Sequence, residues 1–191
     1  MHLIVLTAPS GAGKTTIARR LMEAVPELRF SVSATTRPPR EGEEDGAAYF
    51  FLSESEFRSL IEEGAFIEYE EVYPGRFYGT LRDRLERLAD AGPVLLDLDV
   101  KGAASIKRLY GDHAFVVFIQ PPSLAVLEAR LRARGTETEA SLSTRLTRAR
   151  TELEFASQAD AVVVNDDLER AVAETVAHVR AFLDGSTPTN R

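Results

Sequence analysis

The chain has no cysteine, no tryptophan and only two methionines among its 191 residues. Without cysteine there are no disulfides, no thiolate metal sites and no cysteine nucleophile. The same absence fits a reducing compartment, and a cytoplasmic location is expected. Long apolar runs are missing too. The opening MHLIVLT lacks a basic segment followed by an extended apolar core, so no secretory signal is expected, and no stretch reaches the length of a membrane span. Positive charge is in deficit: 23 Lys and Arg stand against 30 Asp and Glu, a net charge of −7. That balance disfavours general binding to nucleic acid. No nucleic acid, membrane or obligate protein partner is expected, and a phosphorylated substrate would need a local positive site.

What is present is an ordinary globular composition, 44% hydrophobic and 28% charged, in a chain long enough for one or two cored domains. LIVLT (3–7), VLLDLD (94–99), AFVVFIQ (114–120) and AVVVN (161–165) are near-continuous apolar runs between helical patterns. Such runs predict strands buried on both faces, hence a parallel sheet between helices in an α/β protein of three layers. The span 34–90 is more polar and rich in aromatics, with strand-like runs YFFL (49–52) and FIEYEEV (66–72) around a helix near Glu54–Glu63. It reads as a small α+β insertion. The span 123–156 reads as two charged helices joined near Gly135 and Thr136, and 185–191 as a disordered tail. The parallel core then comprises 1–33, 91–122 and 157–184.

APSGAGKT, Ala8 to Thr15, follows a predicted strand and opens a predicted helix from about Lys14 to Ala24. This is the context of a P-loop. Small residues let the backbone approach phosphates, successive N–H groups point inward, and the helix N-terminus adds positive partial charge. Lys14 supplies a full charge toward the β- and γ-phosphates of ATP, and the Thr15 hydroxyl can ligate Mg²⁺. Ala8, Pro9, Ser10, Gly11, Ala12, Gly13, Lys14, Thr15 and Thr16 form the expected ATP-binding run. The first position usually carries Gly; Ala8 is tolerated there if the backbone is extended and strained if φ is positive.

In SVSATTRPPREGEEDGAAYFF (31–51), two prolines separate Arg37 from Arg40 and stiffen the backbone between them. Paired guanidinium groups suit a dianionic phosphate, and Tyr49 can donate to it. Asp97 and Asp99 stand two apart at a predicted strand end, which aims both at one face. Six arginines (130, 132, 134, 145, 148, 150) against three glutamates (128, 137, 139) concentrate positive charge between residues 128 and 150. The acidic run Glu41–Asp45 reads as a solvated loop, Lys101 as a solvated helix-start lysine, and His2, His113 and His178 show no catalytic arrangement.

Taken in order, Ser33–Tyr49, FIEYEE (66–71), FYGT (77–80), LLDLD (95–99), RLRARGTETEASLSTRL (130–146) and VVNDD (163–167) resemble the guanylate kinase family from Leu3 to about Leu183. The resemblance implies a P-loop kinase with a GMP-binding insertion and an Arg-rich helical lid. By it, Ser33, Glu68, Thr80 and Asp97 hold the guanine, while Arg37, Arg40, Tyr49 and Tyr78 hold the GMP phosphate, with Gly79 beside them. Asp99 lies near Mg²⁺, Arg134 and Arg145 reach the phosphates with Arg130 beside them, and Asn165 lies near the adenine. The implied catalytic set is Lys14, Arg37, Asp99, Arg134 and Arg145, and the implied metal-holding pair Thr15 and Asp99. The remaining arginines read as surface residues paired with glutamates at i±4.

Carboxylates suit guanine's N1–H and N2–H₂ donors and would repel the N1 acceptor of adenine. The expected reaction is phosphoryl transfer from ATP to GMP, with dGMP as a further acceptor. The other readings are a non-catalytic interaction module of guanylate-kinase type and a related sugar-phosphate kinase. EYEEVYPGRFY (68–78) is one residue longer than the common family pattern, and the Pro74-Gly75 turn is expected to absorb the extra residue.

Overall fold

The computed structural model describes residues 1–133 and 138–185. Five strands, β1 (Leu3–Thr7), β2 (Arg29–Ser31), β7 (Val94–Asp97), β8 (Ala114–Gln120) and β9 (Ala161–Val164), form an all-parallel sheet in the order β2-β7-β1-β8-β9. The two faces divide by the period of a strand. Ile4 and Leu6 of β1 join Ile17 and Leu21 of α1 (Lys14–Ala24) and Val172 and Val179 of α7 (Leu168–Leu183). Leu3 and Val5 join Leu85 of α3 (Arg82–Ala91) and Ile106 of α4 (Val100–Tyr110) on the other side. The expected three layers are present. β2 is not legible in sequence, because its three residues include only one apolar side chain, Phe30, and that one is exposed.

A second sheet, ordered β4-β3-β6-β5, comprises β3 (Ala34–Thr35), β4 (Phe50–Phe51), β5 (Phe66–Tyr73) and β6 (Arg76–Leu81). Together with α2 (Glu54–Glu62) it encloses its own apolar cluster of Ala34, Phe57, Phe66 and Phe77. Phe57 stacks on Phe66 with ring centroids 4.3 Å apart and on Phe77 at 5.3 Å. Such rings bury large areas and add attraction through their geometry. Ser53 caps α2, accepting from the Glu56 N–H while the Glu56 carboxylate accepts from the Ser53 N–H. β5 and β6 are joined at Pro74-Gly75, with Gly75 at φ +73° and a register shift just before the turn. α3 falls within the expected insertion span 34–90, apart from its last residue, yet it packs Leu85 onto the parallel sheet.

Two further helices, α5 (Leu124–Ala133) and α6 (Glu139–Glu154), pack through Leu127, Leu131 and Leu142. Their junction at 134–137, which contains Arg134, and residues 186–191 of the expected tail at 185–191 lie outside the described residues. Among the described residues no helix is long and apolar enough to cross a membrane.

Candidate active site

β1 ends at Thr7 and α1 begins at Lys14, so Ala8–Gly13 forms a loop at the carboxyl end of the central strand, where ligand sites of such sheets lie. Ala8 is buried and its φ is not positive, so the alanine carries no backbone strain. Gly13 does require glycine. Its φ is +100°, and a Cβ there would collide with the Asn165 side-chain amide. That amide donates to the Ala12 carbonyl at 2.7 Å, and Arg130 donates to the Asn165 carbonyl at 2.9 Å. Asn165 and Arg130 therefore brace the loop from behind, and with the buried Ala12 they are absent from the cleft wall.

The loop opens onto a cleft of about 410 Å³. Pro9, Ser10, Gly11, Lys14, Thr15 and Thr16 line one side, and Ser33, Arg37, Arg40, Tyr49, Tyr78 and Gly79 line the other. Ala8, Gly13, Glu68, Asp97, Asp99 and Arg145 complete the sequence-predicted wall. Thr80 is fully buried behind it and donates to Glu68 Oε1 at 2.6 Å. Lys14 reaches across the cleft to pair with Asp97 and donates to the Leu98 carbonyl at 2.7 Å. Arg145 donates to Ser10 Oγ at 2.8 Å, bringing α6 to the loop.

Arg37 is almost wholly buried. Its guanidinium donates to Glu43 Oε1 at 2.9 Å and lies 5.3 Å from the Tyr49 ring centre. Glu43 Oε2 accepts the Arg40 N–H at 2.7 Å. The acidic loop is thus more than solvated, since Glu43 ties the two arginines together. The Arg37 guanidinium holds the Glu43 carboxyl below the usual range. Burial first, then the Asp97 charge, pushes the Tyr49 hydroxyl up and keeps it a donor.

Burial likewise pushes Glu68 up to about 7. Burial, and after it the Asp99 side chain, pushes Glu70 up to about 7. For Asp99, burial acts upward, but Glu70, the Gly102 N–H, Arg148 and Lys14 outweigh it and hold the carboxyl below its ordinary value.

Three further expectations need correction. β7 ends at Asp97, and Asp99 is the N-cap of α4, accepting the Gly102 N–H at 2.8 Å. Both aspartates reach the cleft, but strand alternation is not the reason for Asp99. Arg148 is not a surface arginine. It does pair with Glu152 at i+4, at 2.7 Å, yet it also reaches Asp99 Oδ2 at 3.1 Å and lines the cleft. Lys101, though exposed, is paired at 2.5 Å with Glu70. Glu70, Val72, Arg76, Arg148 and Glu152 are cleft residues that the sequence reading missed. Alternation along β5 could have flagged Glu70, two residues from Glu68 on the same face.

A parallel sheet whose central strand feeds a glycine-rich phosphate loop, with a lysine and arginines converging on one cleft, defines a P-loop kinase. The guanylate kinase family model matches residues 1–183, and the chain belongs to that family. It is 58% identical to the guanylate kinase of Salinibacter ruber over 182 residues, 95% of this chain and 97% of that one. It is 51% identical to the guanylate kinase of Chlorobium luteolum over 189 residues, 98% and 95% of the two chains. The crystal structure of guanylate kinase from Anaplasma phagocytophilum superposes with a TM-score of 0.77 at 34% identity, covering 94% of this chain and 85% of that one.

Proposed function

We propose that the chain transfers the γ-phosphoryl group of ATP to GMP, giving ADP and GDP. The observation that carries this reading is a single cleft holding the phosphate loop and Lys14 on one side and the Arg37–Tyr49–Tyr78 and Glu68–Asp97 groups on the other. The loop amides and Lys14 take the ATP phosphates. Arg37 and Arg40, with the Tyr49 and Tyr78 hydroxyls, take the GMP phosphate. Glu68 and Asp97 accept from N1–H and N2–H₂ of guanine, with Ser33 and the Thr80 hydroxyl beside them. Thr80 acts by tethering Glu68.

An oxygen of the GMP phosphate attacks the γ-phosphorus, and the bond to the β,γ-bridging oxygen breaks, so that ADP leaves with the electron pair. No protein base is required, since that oxygen is ionised near neutral pH. Arg145 and Arg134 offset charge on the transferring group. Thr15 and Asp99 offer a hydroxyl and a carboxylate, hard-oxygen donors that fit Mg²⁺. Bound there with ATP, Mg²⁺ neutralises part of the phosphate charge. Arg130 and Asn165 support the loop from behind. Residues 34–90 serve as the GMP-binding insertion and 123–156 as the lid on a core of 1–33, 91–122 and 157–184, closing to keep water from the phosphoryl group. dGMP is a further acceptor, and the site of action is the cytoplasm.

A coupled ADP-release assay with Mg²⁺-ATP and GMP, IMP or AMP tests this. The expected order is GMP well ahead of IMP and AMP, with Glu68→Ala levelling the three. Equal rates for all three in the parent would overturn the guanine reading, and no ADP release with GMP would favour a non-catalytic phosphate-binding module.

A further inference from the structure

Gly102 lies in the first turn of α4, three residues after the cap Asp99, to whose Oδ1 its N–H donates. Glycine is a poor helix former, and alanine at such a position is normally better. The reason for a glycine here is what faces it. A Cβ added to Gly102 would stand 2.9 Å from Glu68 Oε2, 3.3 Å from Leu98 Cβ and 3.4 Å from Asp99 Oδ1.

These three neighbours do not yield equally. Leu98 Cβ is fixed to the backbone of a buried residue. Asp99 Oδ1 is at ordinary contact distance and is tied to the Gly102 N–H itself. Glu68 Oε2 ends a flexible arm, so the larger clash is relieved by the carboxylate, while the 3.3 Å approach to Leu98 Cβ asks the start of the helix for a shift of only a few tenths of an ångström. That carboxylate is also held by the Thr80 hydroxyl through its other oxygen, at 2.6 Å. A shift of a few tenths of an ångström therefore changes both its tether and the aim of its oxygens into the cleft.

We propose that Gly102 is a positioning residue for base selection: its missing side chain is the space in which the Glu68 carboxylate sits, and that space sets where Glu68 meets the purine edge. The proposal rests on the reading of Glu68 as a guanine acceptor. The local rule for helices is broken at this point, and the compensating gain is a correctly aimed acceptor. A buried acceptor discriminates well only when its geometry leaves the wrong base unpaired.

The test compares Gly102→Ala and Gly102→Ser with Glu68→Ala in one panel: KM and kcat for GMP, IMP and ATP, together with the thermal midpoint. Either Cβ is expected to raise KM for GMP by about tenfold and to narrow the gap between GMP and IMP, which lacks the 2-amino donor. KM for ATP is expected to stay within about twofold and the midpoint to change little, since alanine's helix preference offsets the close approach to Leu98 Cβ. If Glu68→Ala changes the GMP-to-IMP ratio and neither Gly102 variant does, the proposal is overturned and the reading of Glu68 survives. If Glu68→Ala leaves the ratio unchanged, the reading of Glu68 fails and takes the proposal with it. A lowered midpoint with equal losses for GMP and ATP would make Gly102 merely structural and also overturn the proposal.

Discussion

The two sides of the cleft are built on different principles. The phosphate side is made of backbone. Its loop is six residues of local sequence between β1 and α1, set on the parallel core and braced from behind by Asn165 and Arg130. The base side is made of side chains. Glu68, Tyr78 and Thr80 come from a separate small sheet with its own cluster around Phe57, while Asp97 comes from the core. A backbone site tolerates side-chain change wherever φ stays ordinary, as at Ala8, and fails where glycine is obligatory. A side-chain site depends on the packing that aims each group.

Four changes can break or sharpen this contrast. Lys14→Met deletes the one full charge among the loop residues 8–16, and kcat is expected to fall by at least about 10³-fold while the fold persists; steady-state rates and circular dichroism together read it. Phe57→Ala removes a fully buried ring that stacks on two others. It is expected to cost about 3–5 kcal/mol in urea unfolding. It should weaken GMP binding far more than ATP binding, and equal losses on both sides would mean that the two regions are not independently built.

Glu68→Gln probes burial through pH. The folded pKa of Glu68, about 7, lies above the ordinary 4.5. Between those values the folded chain keeps a proton that the unfolded chain has released, so stability falls as pH rises through this window and is level above it. The Gln variant should therefore gain on the parent by about 2 kcal/mol between about pH 5 and about pH 8. The parent's kcat/KM for GMP should show an acid limb near 7 that the variant lacks. A stability difference that does not vary with pH would remove the burial argument. The smallest effect belongs to Ala8→Gly. Ala8 has no positive φ, so glycine relieves nothing there and is expected to cost no more than about 1 kcal/mol through chain entropy, with activity unchanged. A large gain in activity would show hidden strain.

The legible parts of the molecule were those coded locally. The apolar runs marked β1, β7, β8 and β9, and the helix following the phosphate loop begins at Lys14 and ends at Ala24 as its pattern predicts. The illegible parts depended on partners distant in sequence. Arg148 shows its i+4 glutamate in the sequence but not Asp99, 49 residues away, and the second contact is what draws it into the cleft. Lys101 shows no partner until β5 brings Glu70 beside the start of α4. Strand period accounts for Asp97 but not for Asp99, since the strand stops two residues before Asp99 and a helix cap aims it instead.

By itself, the amino-acid sequence determined the parallel core, the phosphate loop and the residue types that line the cleft opposite it. Periodicity and glycine placement act within a few residues and survive any folding context. Only the tertiary structure decided which charges neutralise one another, how deeply Glu68 is buried and that a glycine in α4 makes room for it. Those depend on dielectric environment and close approach between segments, and neither exists until the chain has folded.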